Sequence, residues 1–362
     1  MGFAGLRVGL VGPLPPPAGG MANQTRQLAE LLGAAQATVF LVQSNAPYRP
    51  AWAGRLVYVR EAFRLLPYLL ALWRVAGKVE VFHVMANSGW SWHLVAAPAI
   101  WIARLRKVPV VVNYRGGEAA GFLASSQSLV QRSMSHVAAL VVPSRFLQEV
   151  FSSFGMRAEI VPNIIDLTRF RPREVARSST FHLVVARNLE PLYDNETALR
   201  AFQIVRRDCP DALLTIAGSG PEEQRLRELA TQLGLADAVR FTGRLDRESM
   251  ADLYRQADVM LNPSLADNMP NSVLESMASG VPVVSTDVGG VPFIVQDGVT
   301  ALLVKPGDAE AMAAAVLKLA EDQELWRKLS IAGIAEVERY TWARVAPVLA
   351  AAYRGAMRRA TH

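Results

Sequence analysis

The 362-residue chain is 51% apolar, enough to build two ordinary domains with full cores. Its single cysteine, Cys209, excludes an intramolecular disulfide framework and fits a reducing compartment. The net charge of +6 is uneven, with 18 Lys+Arg against 8 Asp+Glu in residues 1–175 and 20 against 24 in the remainder. The basic first half reads either as suiting an anionic partner, a lipid surface or a phosphate-bearing acceptor, or as a solvated basic face with no partner; no nucleic-acid module is evident.

The apolar run at residues 6–11 is too short for a secretory leader, and the proline-rich residues 13–17 interrupt it. No stretch reaches the length of a spanning helix without Pro, Arg or Lys intruding. The expected setting is cytoplasmic, soluble or peripheral on the inner face of the cytoplasmic membrane.

Residues 6–11 (LRVGLV) read as a buried parallel strand, 12–20 as a Pro/Gly loop, and 21–32 as a helix with Leu28, Leu31 and Leu32 on its apolar face. Strand, glycine-rich loop and helix form the phosphate-binding opening of a Rossmann-like domain, where Gly19 and Gly20 let the backbone approach a ligand. The turn is not G-x-G-x-x-G, so a dinucleotide dehydrogenase fits poorly. Short strands at 37–42, 79–84 and 108–113 alternate with helical stretches. That alternation argues for a parallel sheet with helices on both faces and ligands beyond the carboxyl ends of its strands.

Residues 61–78 mix Phe63, Leu65, Leu66, Leu69, Leu70 and Trp73 with Arg64, Arg74 and Lys78, and Arg60 precedes them. They read either as a helix lying in a membrane interface or as a sheet-covering helix kinked at Pro67. Residues 90–107 read as a core helix with a basic end. His83 ends one strand as a structural or acceptor-side residue, and Arg115 and Gly116 follow the next. Residues 141–151 read as strand, Ser cap and helix, and the apolar-poor stretch 171–180 as the hinge.

The second half opens on a strand at 181–186 followed by Arg187, with further strands at 213–218 and 239–243. The run 257–261 leads into the richest stretch, 262–290. Asp267, Asn268, Met269, Pro270 and Asn271 cannot continue a strand, because Pro270 lacks an N–H and Asx residues favour turns. Asn271 or Ser272 is placed to cap a helix whose apolar face is Val273, Leu274 and Met277, and Gly280 ends it. The first turn offers backbone N–H groups to an anion or to sugar hydroxyls, with Asp267 and Glu275 flanking it. A strand at 299–304, a helix at 308–319 and a last helix from Trp342 complete the chain.

The stretch 262–290 resembles the donor-binding signature of the family 4 retaining glycosyltransferases, in which two glutamates stand with seven residues between them. Pro263-Ser264, Glu275-Ser276-Met277-Ala278, Gly280-Val281-Pro282-Val283-Val284, Thr286, Gly289 and Gly290 match that frame. Asp267 stands where the first Glu is usual, keeping the charge with a shorter reach. Residues 108–117 (VPVVVNYRGG) resemble the family's P-V-V-x-T-x-H-G, with Arg115 at the His. Residues 160–170 resemble its P-N-G-V-D, with Ile164 at the Gly. Arg187 matches the Arg of G-R-L-x-x-x-K-G, whose Lys position falls on Tyr193, with Asp194 and Asn195 after it. Residues 213–218, then Ser219-Gly220-Pro221, resemble its strand and G-x-G-P loop. Residues 239–243 resemble its V-x-F-x-G strand.

The resemblance covers most of the chain and implies the α/β GT-B fold, two Rossmann-like doubly wound parallel-sheet domains facing across a cleft. Residues 1–170 would be the acceptor-side domain, 171–340 the nucleotide-sugar domain, and 341–362 a helix crossing back. The implied activity is metal-independent, retaining transfer of a sugar from a nucleotide-diphosphate sugar, UDP- or GDP-linked, to a saccharide or lipid-linked acceptor, without a cofactor. Arg187, Asp267 and Glu275 would be catalytic. The donor would also touch Gly19, Gly20, Tyr193, Asn195, Gly218, Gly243, Asn268, Met269, Pro270, Asn271 and Ser272. Arg115, Gly116 and His83 would lie on the acceptor side. The departures at Tyr193 and Arg115 motivate an alternative, a degenerate relative that binds nucleotide sugar or a partner without turnover.

Overall fold

A computed structural model describes residues 2–16, 19–48, 60–173 and 180–360. The chain divides into two compact units, Met1–Asn163 with Trp342–His362, and Ile164–Thr341.

In the first unit the strands are β1 (Arg7–Gly12), β2 (Thr38–Gln43), β3 (Val81–Ala86), β4 (Val110–Tyr114), β5 (Ala139–Val142) and β6 (Glu159–Ile160). All pair in parallel, in the order β2-β1-β3-β4-β5-β6. The helices between them are α1 (Gly20–Ala34), α2 (Arg60–Ala76), α3 (Ala97–Leu105), α4 (Ala119–Met134) and α5 (Arg145–Ser153). The sequence explains the order: β3 (VFHVMA) and β4 (VVVNY) are buried at every position, as central strands covered on both faces must be. Edge strand β2 keeps partial exposure along most of its length. The helix expected at 90–107 begins as a π-helical turn, Trp92–Ala96, before α3.

The second unit repeats the plan with β7 (His182–Ala186), β8 (Leu213–Ala217), β9 (Val239–Gly243), β10 (Val259–Asn262), β11 (Val283–Thr286) and β12 (Leu302–Val304), ordered β12-β11-β10-β7-β8-β9. Its helices are α6 (Asn195–Asp208), α7 (Glu223–Gln232), α8 (Arg247–Gln256), α9 (Asn271–Ala278), α10 (Ala309–Glu321) and α11 (Gln323–Val337). The strand order reverses direction beside β7 and β10, so the carboxyl ends of those two strands form the switch point where such sheets hold ligands.

The last helix, α12 (Trp342–Ala360), belongs to the first unit. Trp342 stacks on Phe3 at 5.5 Å between ring centroids, and Arg359 donates to the Ala138 carbonyl at 2.5 Å. The second unit starts at Ile164, before the boundary expected at 171, because Ile165 and Phe170 are buried in its core and Ile165 bridges Thr341. Of the expected hinge, residues 174–179 lie outside the described residues. Among the described residues no helix is long and apolar enough to cross a membrane.

Candidate active site

At the carboxyl ends of β7, β10 and β11 the second unit gathers a buried polar cluster around Arg187. Arginine can only donate, so its bonds set the direction of every bond behind it. Arg187 Nε and Nη2 donate to Ser264 Oγ at 3.0 and 2.8 Å. Ser264 Oγ donates to Asn262 Oδ1 at 2.9 Å, Asn262 Nδ2 to Ser285 Oγ at 2.9 Å, and Ser285 Oγ to the Thr286 carbonyl at 3.1 Å. Asn262, Ser264, Ser285 and Thr286 are fully buried. The chain runs one way from guanidinium to backbone, which fixes the Asn262 amide orientation and makes the platform rigid.

Two more groups hold Arg187. Nη1 donates to Ser272 Oγ at 3.4 Å, and Nη2 forms an ion pair with the Asp267 carboxylate. The Tyr193 ring lies under the guanidinium, 4.6 Å from its centroid. Burial lowers the Arg187 pKa to about 10, so the cation persists at neutral pH. Its side chain is 10% exposed and that of Asp267 13%, so the pair is largely buried.

The loop bearing Asp267 is held by glycine. The Gly290 N–H donates to the Asp267 carbonyl at 2.8 Å. A Cβ on Gly289 or Gly290 would run into the carbonyls of Asp267 and Asn268 respectively. Gly289 also has φ +54°, a conformation costly for other residues. Asp267 Oδ1 accepts the Asn268 N–H at 3.0 Å.

Helix α9 begins differently from expectation. Its N-cap is the extended Pro270, and no side chain caps the first turn. Ser272 is instead drawn to Arg187. Glu275, one helical turn on, is partly exposed yet surrounded by protein, and burial pushes its pKa up to about 7 against the opposing effects of Arg247 and the Tyr254 hydroxyl. Burial and the Glu275 charge push the Tyr254 phenol well above its ordinary value. Arg247 and Tyr254 stand seven residues apart on one face of α8, which packs on α9. Sequence reasoning passed over both, as it did Asn262 and Ser285; the i, i+7 spacing in α8 was the only available signal, and many helices share it.

The residues after Arg187 serve local structure. Tyr193 ends a 3-10 turn, Pro191–Tyr193. Asp194 takes a left-handed conformation, φ 40°, and turns its carboxylate onto α6, accepting the Thr197 N–H at 3.4 Å and hydroxyl at 2.6 Å. Asn195 is buried, donates to the Asn188 carbonyl at 3.0 Å and leaves Oδ1 buried without a hydrogen bond. The Gly218 N–H donates to the Gly243 carbonyl at 2.9 Å, and a Cβ on Gly218 would strike the Arg187 carbonyl.

In the first unit, Gly19 is the extended N-cap of α1, with no side-chain cap there, and Gly20 opens the helix. A Cβ on either would meet nothing within 4 Å, so what these glycines leave is open space at the helix start. Arg115 donates to Asn113 Oδ1 at 3.2 Å and is also bonded to Gln24 and Asn163. Burial lowers its pKa to about 9. A second directed chain starts here: Asn113 gives its oxygen to Arg115, so its amide nitrogen faces His83 Nε2 at 3.1 Å, and His83 Nδ1 meets the Tyr353 hydroxyl of α12 at 2.9 Å. Burial, then the Arg115 charge, lowers the His83 pKa to about 3. His83 is thus a neutral strut between α12 and β4. Gly116 is fitted against Ser88, Asn87 and Tyr114, where a Cβ would clash.

Residues 168–335 match the family model described as Glycosyl transferases group 1, and residues 18–169 the model described as Glycosyltransferase Family 4. A D-inositol 3-phosphate glycosyltransferase of Nocardia farcinica is 31% identical over 229 residues, 59% of this chain and 51% of the relative. Another from Saccharomonospora viridis is 35% identical over 210 residues, 53% of this chain and 49% of the relative. The chain spans about half the length of the curated relatives it matches. Among solved structures, a sucrose-phosphate synthase from Thermosynechococcus elongatus superposes with TM-score 0.78 at 21% identity, covering 96% of this chain and 98% of the other. HepE from Anabaena, solved with UDP and glucose, gives 0.74 at 18% identity, covering 95% and 98%.

Proposed function

The chain belongs to the family 4, group 1 glycosyltransferases with the GT-B fold, and from that premise we propose that it is a retaining enzyme. It moves a sugar from a nucleotide-diphosphate sugar, UDP- or GDP-linked, to an acceptor hydroxyl in lipid-linked glycan or polysaccharide assembly. The observation that carries this reading is the union of Arg187, Asp267 and the α9 start in one buried, directed cluster, with Glu275 on the same helix.

Each residue has a chemical task. Ionised Glu275 accepts hydrogen bonds from the two ribose hydroxyls. Asp267 accepts from hydroxyls of the donor sugar, and the Arg187 guanidinium stabilises the charge that grows on the departing diphosphate. The sugar C1–oxygen bond to the β-phosphate breaks, and the acceptor oxygen forms its bond to C1 from the same face. The acceptor's proton goes to the leaving phosphate oxygen. No protein nucleophile is required, and the cation and helix start take the place of a metal.

On the acceptor side, Arg115 suits an anionic group such as a phosphate on the acceptor, with Gly116 beside it and His83 bracing Asn113. The named acceptor of the inositol-phosphate relatives, a phosphorylated polyol, fits that chemistry. The basic charge of residues 1–175 supports an anionic membrane surface as a partner.

A second reading, binding without turnover, draws on Tyr193 at the family's Lys position and on Asp267 already neutralising Arg187. Nucleotide release measured with and without acceptor separates the two. Acceptor-dependent release with retained anomeric configuration is expected. Acceptor-independent release makes the protein a hydrolase, and binding with no release in a broad acceptor screen favours the binder.

A further inference from the structure

Helix α2 is amphipathic in an unusual sense, because its outward face is itself partly apolar. Inward, Tyr68, Leu72 and Ala76 are buried in the first unit's core, and the Tyr68 hydroxyl donates to the Val95 carbonyl at 2.8 Å. Outward, Leu66, Leu70 and Trp73 are 62%, 56% and 47% exposed. Their i, i+4, i+7 spacing puts all three on one stripe. Single exposed leucines are ordinary on a protein surface, but an aligned row ending in tryptophan marks an interaction face.

The charges beside this stripe have one sign. Arg74, next to Trp73 on α2, and Lys78, two residues past the helix end, are exposed. Arg106, just past the end of α3, lays its guanidinium over the Trp73 ring, 4.7 Å from the centroid. Between α2 and β3 the acid Glu80 is engaged with Arg7 at 3.5 Å.

We propose that this α2 stripe docks the first unit onto an anionic lipid surface, with Leu66 and Leu70 entering the acyl boundary and Trp73, Arg74, Lys78 and Arg106 at headgroup level. The inference deepens the proposed function by naming the face on which a lipid-linked acceptor is met, and in that respect rests on it. The chemistry selects lipid over the other occupants. A soluble polyanion satisfies the cations and leaves the leucines in water. A second copy meeting across a two-fold axis buries the leucines but presses like charges together. An anionic interface satisfies both at once.

The test is co-sedimentation of the full chain with phosphatidylcholine vesicles, with and without phosphatidylglycerol. Binding is expected only with the anionic lipid, falling as salt is raised from about 0.1 to about 0.5 M. Leu66→Ser/Leu70→Ser is expected to weaken it at least ~10-fold, because two leucines lose their apolar burial. Arg74→Gln/Arg106→Gln is expected to remove most of its salt dependence. Both variants change exposed side chains, so thermal melting and nucleotide-sugar binding are expected to match wild type; this separates the surface from the catalytic reading. The proposal is overturned by no sedimentation, by equal binding to neutral vesicles, by binding that survives the serine pair, or by a concentration-dependent dimer that the serine pair dissolves.

Discussion

Arg187 and Asp267 are joined as an ion pair at the switch point of the second unit's sheet, although one follows β7 and the other precedes α9. The pair gives Asp267 a second role besides the proposed one of holding donor hydroxyls: it compensates a buried cation. On the proposed reading, a nucleoside diphosphate entering the site competes with Asp267 for the same guanidinium.

Asp267→Asn separates these roles. Removing the carboxylate leaves Arg187 uncompensated, so the ligand-free variant is expected to lose about 3 kcal/mol of stability. A nucleoside diphosphate is expected to restore that loss and to bind several-fold more tightly than to wild type, while turnover falls by about 100-fold. Thermal melting with and without nucleotide, alongside steady-state kinetics, reads all three. Equal nucleotide affinity in the two proteins contradicts the competition.

Tyr193 acts through its ring face. With the guanidinium stacked on it, Tyr193→Phe is expected to keep donor kcat/KM within about two-fold. Tyr193→Ala is expected to lose about ten-fold, the size of a partly desolvated cation–π contact. If phenylalanine fails as badly as alanine, the hydroxyl is the working group.

Glu275 sets a pH dependence. Its folded-state pKa of about 7 lies above the ordinary 4.5, so its contribution to stability is full below about 4.5 and is lost as pH rises through 7. Donor binding is expected to run the opposite way, because on the proposed reading the ribose hydroxyls need the ionised form. Affinity is expected to rise about ten-fold from about pH 6 to 8. In Glu275→Gln both slopes flatten; calorimetry and melting across that range check the pair of signs.

The Ser264 hydroxyl both accepts from Arg187 and donates to Asn262, so Ser264→Ala breaks the directed chain and leaves buried groups unpaired at each end. A loss of about 2 kcal/mol in urea unfolding is expected. Gly290→Ala is expected to cut donor affinity by displacing the Asn268 carbonyl and the Asp267 loop, with α9 intact by circular dichroism.

The alternation of β-branched runs with helical periods made the two sheets legible, because fully covered parallel strands must be apolar throughout. Arg187, Asp267 and Glu275 stood out because they lie in short, dense motifs at strand ends. Helix α9 was read with the wrong cap: Asn271 and Ser272 have the right chemistry, but Pro270 takes the extended N-cap conformation and Arg187 recruits the Ser272 hydroxyl. The surroundings of Glu275 were opaque because Arg247 and Tyr254 come from another helix, and no local pattern records which helices will pack together. His83 and Tyr353 meet across most of the chain for the same reason.

The most direct measurement is calorimetric titration of UDP-, GDP- and ADP-sugars into wild type and Glu275→Ala. One donor is expected to bind wild type selectively and to lose its affinity in the variant, which assigns Glu275 to the ribose and names the nucleotide for the acceptor screen. No donor binding at millimolar concentration, or equal binding to both proteins, contradicts that assignment.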